Sequence, residues 1–460
     1  MAVASTVKLS DLEGAQRVDA EYYQPDYLKL LAKLRRLEAI PLESFCYFIK
    51  KGIFDLSPRY YVDSGIPLIR TTEIKSEIAD LSSVVFLSED THSRHKETEL
   101  ESTDIVFTKI GANIGDSAIL AHRHKRYNFS QNVAGAKIRK TVIAPYYLAA
   151  YLNSKFGKLQ LKRAQMPSGQ GKLELTDIKK MLIVVADSGL QRYVEELYLR
   201  AEDEIQKSSD LYSQAESLLL EGLGLKDFKP KYELSYTANL SKAFGAHRVD
   251  AEYFQPAYDE IVNHLSKNFV TEKLKDIVSL LKHGKQPYYV EGGEIPILIQ
   301  KHLGSQYVNL DALNDQDTPR TDRKFIEKYP EYKVQSEDVL FYSVGAYLGR
   351  TNVLLTQIDA VPASFITLIR TKKNICSSMF LAVFLNSKVG QLQSGQRKSA
   401  SAQQYIYPKD IGEFIIPILP DKTQQEIASL VRQSHEARNK AKQLLEEAKS
   451  KVENLIEGRA

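Results

Sequence analysis

An internal repeat is the feature that most constrains the fold of this chain. The phrase "RVDAEYYQP" at residues 17–25 returns as "RVDAEYFQP" at residues 248–256, which is 231 positions later. "DIVFTKIGANIG" at 104–115 is matched by "DVLFYSVGAYLG" at 338–349. Two further pairs keep the same order: "GIPLIRTTEI" at 65–74 with "EIPILIQKHL" at 294–303, and "LNSKFGKLQ" at 152–160 with "LNSKVGQLQ" at 385–393. A tandem duplication of about 230 residues therefore organises the chain.

Each copy is predicted to be a strand-rich domain that ends in a long helix. Short apolar runs such as "GIPLIRT" and "DVLFYSVG" are broken by Gly, Pro, Asn and Asp, a pattern typical of strands and turns. Apolar or small residues then recur at close to 3.5-residue spacing within 194–219 and again within 427–455. The pattern predicts two helices of about 30 residues, each roughly 45 Å long. We expect the two apolar stripes to pack on each other, and the fold class to be α+β.

The ordered set of motifs, written once in each half, resembles the specificity subunits of Type I restriction-modification systems. The motifs are "RVDAEYYQP", "IPLIR", "DIVFTKIGANIG", "LNS" and "DI…IIPILP…QQEI", and the resemblance covers essentially the whole chain. It implies two target recognition domains held apart by the two long helices, which form an antiparallel coiled-coil-like spacer. The predicted parts are a first target recognition domain at 1–187, a central helix at 188–225, a second target recognition domain at 226–420 and a distal helix at 421–460.

The resemblance also implies what the chain binds. Each recognition domain would read one half of a bipartite, asymmetric sequence in duplex DNA. Two methyltransferase (modification) subunits would dock around the helices and methylate adenine, with restriction or translocase subunits as optional further partners. No cofactor is expected in this chain, because S-adenosylmethionine would be bound by the methyltransferase subunit. The chain is accordingly predicted to be non-catalytic.

The duplication agrees with DNA recognition on physical grounds. Two pseudo-equivalent halves can present matching surfaces to two half-sites, and a helix of about 45 Å can hold them one duplex turn of roughly 34 Å apart. The net charge of +4 neither requires nor excludes nucleic acid, since a basic face can be hidden in a balanced total. The halves differ where "LIVVAD" of the first replaces "IIPILP" of the second, so we expect different domain-to-helix junctions.

Candidate DNA-binding residues lie in loops that flank the repeated strands, where Lys and Arg suit phosphates and forked or amide side chains suit base edges. In the first half they are Lys50, Lys51, Arg59, Tyr60, Arg70, Thr71, Lys109, Asn113, Gln131, Asn132, Gln170 and Lys172. In the second half they are Lys282, His283, Lys285, Gln286, Tyr288, Gln300, Lys301, Tyr342, Tyr347, Arg397, Lys398, Ser399 and Gln403.

Several roles stay open at this level. Lys50, Lys51, Lys282 and Lys285 are expected to contact phosphate. Arg70 is either a base-reading fork or a structural one that satisfies backbone carbonyls. Gly111 and Gly345 either bring the backbone close to DNA or relieve a turn.

The repeated phrase has two interpretations. It either docks the methyltransferase partner or packs each domain against its helix. The candidate partner-binding residues are Asp19, Glu21, Tyr22, Asp250, Glu252 and Tyr253.

Other classes of protein are less consistent with the sequence. No GxGxxG or Asn-Pro-Pro-Tyr segment indicates a methyltransferase site, and "GQGKL" at 169–173 lacks the Ser or Thr of a phosphate loop. The two cysteines are far apart, no metal-ligand spacing is present, and no apolar run reaches membrane-spanning length, so a cytoplasmic protein is expected. The alternative is a helical scaffold or an RNA- or single-strand-binding adaptor, because aromatic residues stand beside basic ones in "PRYYV" and "KQPYYV".

Overall fold

The computed structural model describes residues 5–8, 12, 17–111, 113–165, 171–314, 318–345, 347–399 and 403–459. The chain divides into two compact units, the first formed by residues 1–206 with 438–460 and the second by residues 207–437. The two long helices are divided between these units, so each unit contains part of both.

The first unit alternates short strands and helices before its long helix. Its helices are α1 (Pro25–Arg36), α2 (Glu89–Ser93), α3 (Pro145–Asn153), α4 (Lys155–Ala164), α5 (Leu175–Lys179) and the first part of α6 (Ser188–Gly222). Its strands are β1 (Ile40–Pro41), β2 (Cys46–Lys51), β3 (Tyr61–Val62), β4 (Ile66–Ile69), β5 (Val85–Leu87), β6 (Leu100–Glu101), β7 (Ile105–Thr108), β8 (Ser117–Ile119), β9 (Arg126–Phe129), β10 (Val133–Ile138) and β11 (Leu182–Ile183).

The second unit repeats this order. Its helices are α7 (Leu240–Ala246), α8 (Pro256–Asn268), α9 (Leu274–Ile277), α10 (Arg323–Lys328), α11 (Ser378–Asn386), α12 (Lys388–Arg397), α13 (Pro408–Ile411) and the first part of α14 (Asp421–Glu457). Its strands are β12 (Thr271–Lys273), β13 (Val278–His283), β14 (Ile295–Leu298), β15 (Arg320–Thr321), β16 (Val339–Tyr342), β17 (Thr351–Val353), β18 (Val361–Pro362), β19 (Ile366–Thr371) and β20 (Ile415–Pro417).

An antiparallel sheet forms the centre of each unit, in the order β2-β10-β7-β8 in the first and β13-β19-β16-β17 in the second. The matched blocks "DIVFT" and "DVLFY" supply β7 and β16, and every residue of both strands is buried. A second sheet in each unit pairs one strand in parallel, β4 with β9 and β14 with β18. The predicted α+β duplication is therefore confirmed in the pairing of the strands.

A short apolar helix closes the core of each unit. Each residue of α3, "PYYLAAYLN", is buried, and so is almost all of α11, "SMFLAVFLN". A helix that is apolar all round must be enclosed by protein, since it has no polar face to turn to water. The hydroxyls of Tyr147 and Tyr151 donate to the Val184 and Leu182 carbonyls, so these buried rings keep their hydrogen bonds.

The long helices are 35 and 37 residues, somewhat longer than the 30 that the spacing predicts. In the first unit, Tyr193 of α6 donates to Glu447 of α14, and Lys440 pairs with Glu204. Contacts that descend one helix as they ascend the other make this pairing antiparallel, as the resemblance implies. No helix in the described residues is both long and apolar enough to cross a membrane.

The two domain-to-helix junctions share one pair of side-chain-to-backbone hydrogen bonds despite their different sequences. Gln160 donates to the Leu182 carbonyl and accepts from the Leu182 N–H. Gln393 makes the same two bonds with Ile415. Because the side-chain amide pairs with backbone alone, the replacement of "IIPILP" by "LIVVAD" leaves the contact unchanged.

Candidate nucleic-acid interface

One end of the central sheet of the first unit collects basic and amide side chains from separate parts of the sequence. The antiparallel register sets Lys51, at the end of β2, opposite Ala134 of β10. The Lys109 N–H, just past β7, donates to the Asn132 carbonyl at 2.9 Å. A bridge between Ile110 and Lys172 brings in a fourth segment. Four loops that are far apart in sequence therefore meet at one edge.

Lys109 is the most enclosed charge of this group, with only 8% of its surface exposed. Burial lowers the pKa of its ammonium, and the positive charges of Lys172 and Lys51 lower it further. Glu174 opposes this effect, but its carboxylate is already paired with Lys172 at 2.6 Å. Across the described ranges, the Lys109 side chain has no hydrogen bond or ion pair of its own.

The same edge of the second unit has a different chemistry. In the strand pairing of the second unit, His283 lies opposite Thr367. This is the position that Lys51 holds opposite Ala134 in the first unit. The bridge from Val344 to Tyr405 repeats the bridge from Ile110 to Lys172. Ser343 follows β16 as Lys109 follows β7. Histidine, serine and tyrosine therefore occupy the positions of three lysines.

Two other candidates of the first unit, Arg70 and Asn113, hold their own loops together. Arg70 makes two hydrogen bonds to the buried Glu73 carboxylate and donates to the Ser83 carbonyl at 3.0 Å. These contacts support the structural one of the two roles predicted for Arg70. Asn113 donates to the Thr71 and Ile74 carbonyls, so it ties two loops together.

A second group of first-unit candidates lies nearer the surface. Gln131 accepts from the Asp55 N–H, and the exposed Arg59 guanidinium lies 4.9 Å from the ring centre of Tyr60. The Lys50 ammonium lies 4.6 Å from the ring centre of Phe48. Gln170 lies outside the described residues.

The basic candidates of the second unit stand over aromatic rings. The Lys285 ammonium lies 4.5 Å from the Tyr329 ring centre, and the Lys282 ammonium lies 5.7 Å from that of Tyr332. Lys282 also approaches the Glu331 carboxylate at 3.6 Å. Cation–π contact stabilises these two ammonium groups but leaves their charge, and both side chains are exposed to solvent.

The remaining second-unit candidates range from exposed to buried. Gln286 accepts from the Ser364 hydroxyl, and Tyr288 donates to Asp322. Gln300 and Lys301 are exposed in the 3₁₀ turn after β14, and Gln403 is exposed. Tyr342 is buried. The half-buried candidates are Tyr347, Arg397, Lys398 and Ser399.

Two glycines of the repeated "GAN" and "GAY" turns have backbones that favour glycine. Gly111 has φ of 143° and Gly345 has φ of 87°. The Gly345 N–H donates to the Gln404 carbonyl at 2.8 Å. The turn itself therefore requires glycine, which supports the structural one of the two roles predicted for these positions.

The repeated phrase is built as a fork that anchors each domain. Arg17 makes two bonds to the Asp19 carboxylate, at 2.8 and 2.9 Å, and further bonds to the carbonyls of Ala164 and Gln165 at the end of α4. The Arg17 guanidinium lowers the pKa of the Asp19 carboxyl. Its carbon also lies 4.3 Å from the ring centre of the buried Tyr22.

The second copy repeats the fork. Arg248 binds both oxygens of Asp250, donates to the Lys398 carbonyl and stacks on Tyr253. Glu252 accepts from the Tyr258 hydroxyl at 2.6 Å, whereas Glu21 is exposed. These contacts support packing of the domain, and docking of a partner by the same phrase stays a prediction.

Replacing Arg17 by lysine should destabilise the first unit by roughly 1–2 kcal/mol, because a point charge cannot make the bidentate and carbonyl bonds at once. The midpoint of denaturant unfolding measures this loss. Glu21→Gln is the matched control within the phrase and should leave stability unchanged. Equal stability of Arg17→Lys and the unmodified chain would contradict the anchoring role.

Some residues of the interface were not predicted from the sequence. Phe54 is 72% exposed beside Lys51, whose ammonium lies 5.4 Å from its ring centre. Tyr405 and Tyr407 stack edge to face at 4.8 Å, and Tyr407 also contacts His283. The signal was present in "QYIYP", where two tyrosines alternate with an apolar residue, but nothing local assigned it to the sheet edge.

Comparisons with known proteins match parts of the chain to one family. Residues 266–449 match the family model described as Type I restriction modification DNA specificity domain. The Type I restriction enzyme EcoBI specificity subunit of Escherichia coli is 25% identical over 159 residues, which are 34% of this chain and 33% of that protein. The chain thus spans about a third of the length of this curated relative.

Solved structures of similar chains extend over most of the sequence. The S subunit of a Type-I restriction-modification system from M. genitalium shares 12% identity and a TM-score of 0.36, covering 91% of this chain and 94% of that one. The HsdS subunit from Thermoanaerobacter tengcongensis shares 13% identity and a TM-score of 0.29, covering 92% and 96%.

The fold defines a duplicated α+β protein in which a long helix follows each strand-rich domain. Residues 266–449 match the Type I restriction modification DNA specificity family, and the resemblance predicted from the repeated motifs is confirmed.

Proposed function

We propose that this chain is the DNA sequence-recognition subunit of a Type I restriction-modification complex and has no catalytic activity of its own. Each unit reads one half of a bipartite, asymmetric target in duplex DNA. The single observation that carries the proposal is the match of residues 266–449 to the DNA specificity family.

The internal repeat extends this role to the first unit. Its central sheet has the same strand order as that of the second unit, and the bridge at Ile110 and Lys172 corresponds to the bridge at Val344 and Tyr405. The side chains at the matching edges differ, as two unequal half-sites require. Because the two units share a framework but differ in their loops, we propose that each recognises a different DNA sequence.

The proposed partners follow from the same family. Two methyltransferase subunits that bind S-adenosylmethionine methylate adenine in the target, and restriction subunits join where they are present. The complex acts in the cytoplasm. The target recognition domains are proposed to be residues 1–187 and 226–420, with 188–225 and 421–460 as the helices that partners contact.

Co-expression of this chain with its methyltransferase partner, followed by genome-wide mapping of methylated adenines, tests the function. We expect a split motif with two short specified halves around an unspecified gap. Control cells that express the methyltransferase subunit alone should lack the motif.

Two other results would change the proposal. With co-assembly shown by co-purification, the absence of any motif would favour a scaffold or an RNA-binding adaptor. A single unsplit motif would mean that one unit alone reads DNA.

A further inference from the structure

The three lysines at the sheet edge of the first unit carry more positive charge than the fold compensates, because Glu174 pairs with Lys172 alone. Lys51 ends β2, Lys109 follows β7, and Lys172 is held beside Ile110 by a backbone bridge. The Leu173 N–H donates to the Lys109 carbonyl at 3.0 Å, which fixes the segment with Lys172 against the end of β7. The backbone therefore holds three cations together.

Lys109 carries the electrostatic cost of this arrangement. More than nine-tenths of the residue is buried, and its ammonium repels those of Lys172 and Lys51. Glu174, the carboxylate among the described residues whose charge acts on Lys109, is bonded to Lys172. A buried charge is normally paired, because the lost hydration must be replaced by an opposite charge or by hydrogen bonds. For Lys109, no group within the described stretches supplies that pairing.

The second unit shows that the fold does not need these lysines. At the matching positions, His283 bonds to the Ser364 carbonyl at 2.8 Å and Ser343 bonds to the Thr367 hydroxyl at 2.6 Å. Tyr405 packs against a neighbouring tyrosine. Histidine, serine and tyrosine thus occupy these positions in the second unit, although the His283 Nε2 is buried there without a hydrogen-bond partner among the described residues. The sheet edge forms without lysines in that unit, so the three lysines of the first unit point to a ligand rather than to folding.

We propose that Lys51, Lys109 and Lys172 together bind one backbone phosphate of the duplex read by the first unit. The second unit makes no equivalent phosphate contact at His283 and Ser343. The inference rests on the proposed function, and it adds a chemical asymmetry between the two half-sites. A phosphate brings both the negative charge and the acceptor oxygens that the Lys109 ammonium lacks among the described residues.

The chemistry of the site also predicts what kind of contact it makes. Binding at a phosphate releases counterions and carries no base information, so it weakens with salt equally for every sequence. The exposed ring of Phe54 borders Lys51. Salt dependence should therefore come more from the first unit than from the second at this sheet edge.

The test is the salt dependence of duplex binding by the full chain, measured for a duplex with the mapped target and for an unrelated duplex. Lys109→Met removes the charge and keeps the length of the side chain. We expect the slope of log binding constant against log salt to become shallower by about 0.9, the value for one phosphate. Both duplexes should lose the same factor, so their ratio stays constant.

Lys96→Met is the matched control, because it removes the same charge from an exposed lysine of the same unit. Its slope should equal that of the unmodified chain. An unchanged slope for Lys109→Met, or a change in the ratio between the two duplexes, would overturn the phosphate assignment. Failure of the unmodified chain to bind any duplex would instead refute the proposed function, and the inference with it.

A second measurement uses the unmodified protein, so it holds even if Lys109→Met does not fold. Acylation of lysine amines is followed by mass spectrometry, with and without duplex. We expect duplex to protect Lys51 and Lys172 and to leave Lys96 reactive. Inorganic phosphate at the same ionic strength is the competing source. Protection by inorganic phosphate but not by duplex would mean a free-anion site and would overturn the proposal.

Discussion

Alanine at Gly52 should destabilise the first unit by about 3 kcal/mol, and alanine at Gly284 should do the same to the second, because each added methyl group meets backbone. A Cβ at Gly52 would lie 2.1 Å from the Phe129 carbonyl oxygen and 2.4 Å from that of Ser130. At Gly284 the corresponding distance to the Ala363 carbonyl oxygen is 2.1 Å.

The backbone cannot easily retreat from such a clash. The Gly52 N–H donates to the Val133 carbonyl, and the next N–H donates to the Phe129 carbonyl at 2.8 Å. The Gly284 N–H donates to the Ile366 carbonyl in the same way. Movement of the backbone would break the hydrogen bonds that hold the loop after β2 or β13. Lys51 and His283 are the last residues of these two strands. Stability and DNA binding should therefore fall together.

Gly245→Ala is the control for this pair of substitutions. Gly245 lies in α7, and a Cβ there would have no atom within 4 Å among the residues that the structure describes. Its unfolding midpoint should be unchanged or slightly higher, since alanine favours helix. Stability of Gly52→Ala or Gly284→Ala comparable to that of the control would contradict the close packing of the two chain segments.

Lys449→Met should also cost about 3 kcal/mol, because it removes the positive partner of an enclosed carboxylate. The Lys449 ammonium lies 2.8 Å from Glu77 and 2.6 Å from Glu446. The Tyr198 hydroxyl donates to the other oxygen of Glu77 at 2.7 Å. The side chains of Lys449 and Glu77 are 15% and 13% exposed, so little water can replace the lost charge.

The loss should depend on pH in a defined direction. Burial raises the pKa of Glu77, and Lys449 opposes that rise. Without Lys449 the folded-state pKa of Glu77 moves higher, so the folded state binds more protons than the unfolded state above about pH 4.3. The variant should therefore be closest to the unmodified chain near pH 4.5 and should lose stability as pH rises through the folded-state pKa of Glu77.

Urea unfolding at several pH values measures this dependence, with two controls. Lys451→Met, at an exposed position of the same helix, should stay within about 0.5 kcal/mol at every pH. Adding Glu77→Gln to Lys449→Met should recover part of the loss, since an amide needs no cation and still accepts from Tyr198. A pH-independent loss would indicate a packing defect rather than an unpaired carboxylate.

The interface shows how far loop positions can be assigned from sequence. Lys51, Lys109 and Lys172 were each predicted as DNA-binding residues from basic loops beside repeated strands, but their convergence was not. Phe54 was missed because a single aromatic in a loop carries no periodic signal, and Tyr405 was missed because nothing local assigned "QYIYP" to the sheet edge. The DNA-contacting roles of all these residues remain predictions.

The long-range contacts of single polar residues were the features least predictable from the sequence. Glu77 in "IKSEIAD" has no pattern that indicates a buried partner 372 positions away at Lys449. Arg17 was recognised only as part of a repeated phrase, although its fork reaches the carbonyls at the end of α4. Such contacts depend on where the chain returns in space, which local sequence does not encode.

The sequence by itself determined the duplication, the strand-rich character of both halves and the two long helices, because repeats and hydrophobic periodicity are local properties written along the chain. Only the tertiary structure decided which residues outside the matched sequence blocks share a position in the two units. Strand register and isolated bridges place Lys51 and Lys172 at the positions that His283 and Tyr405 hold in the second unit. Since register arises from pairing between distant segments, the chemical difference between the two sheet edges becomes visible only once the chain is folded.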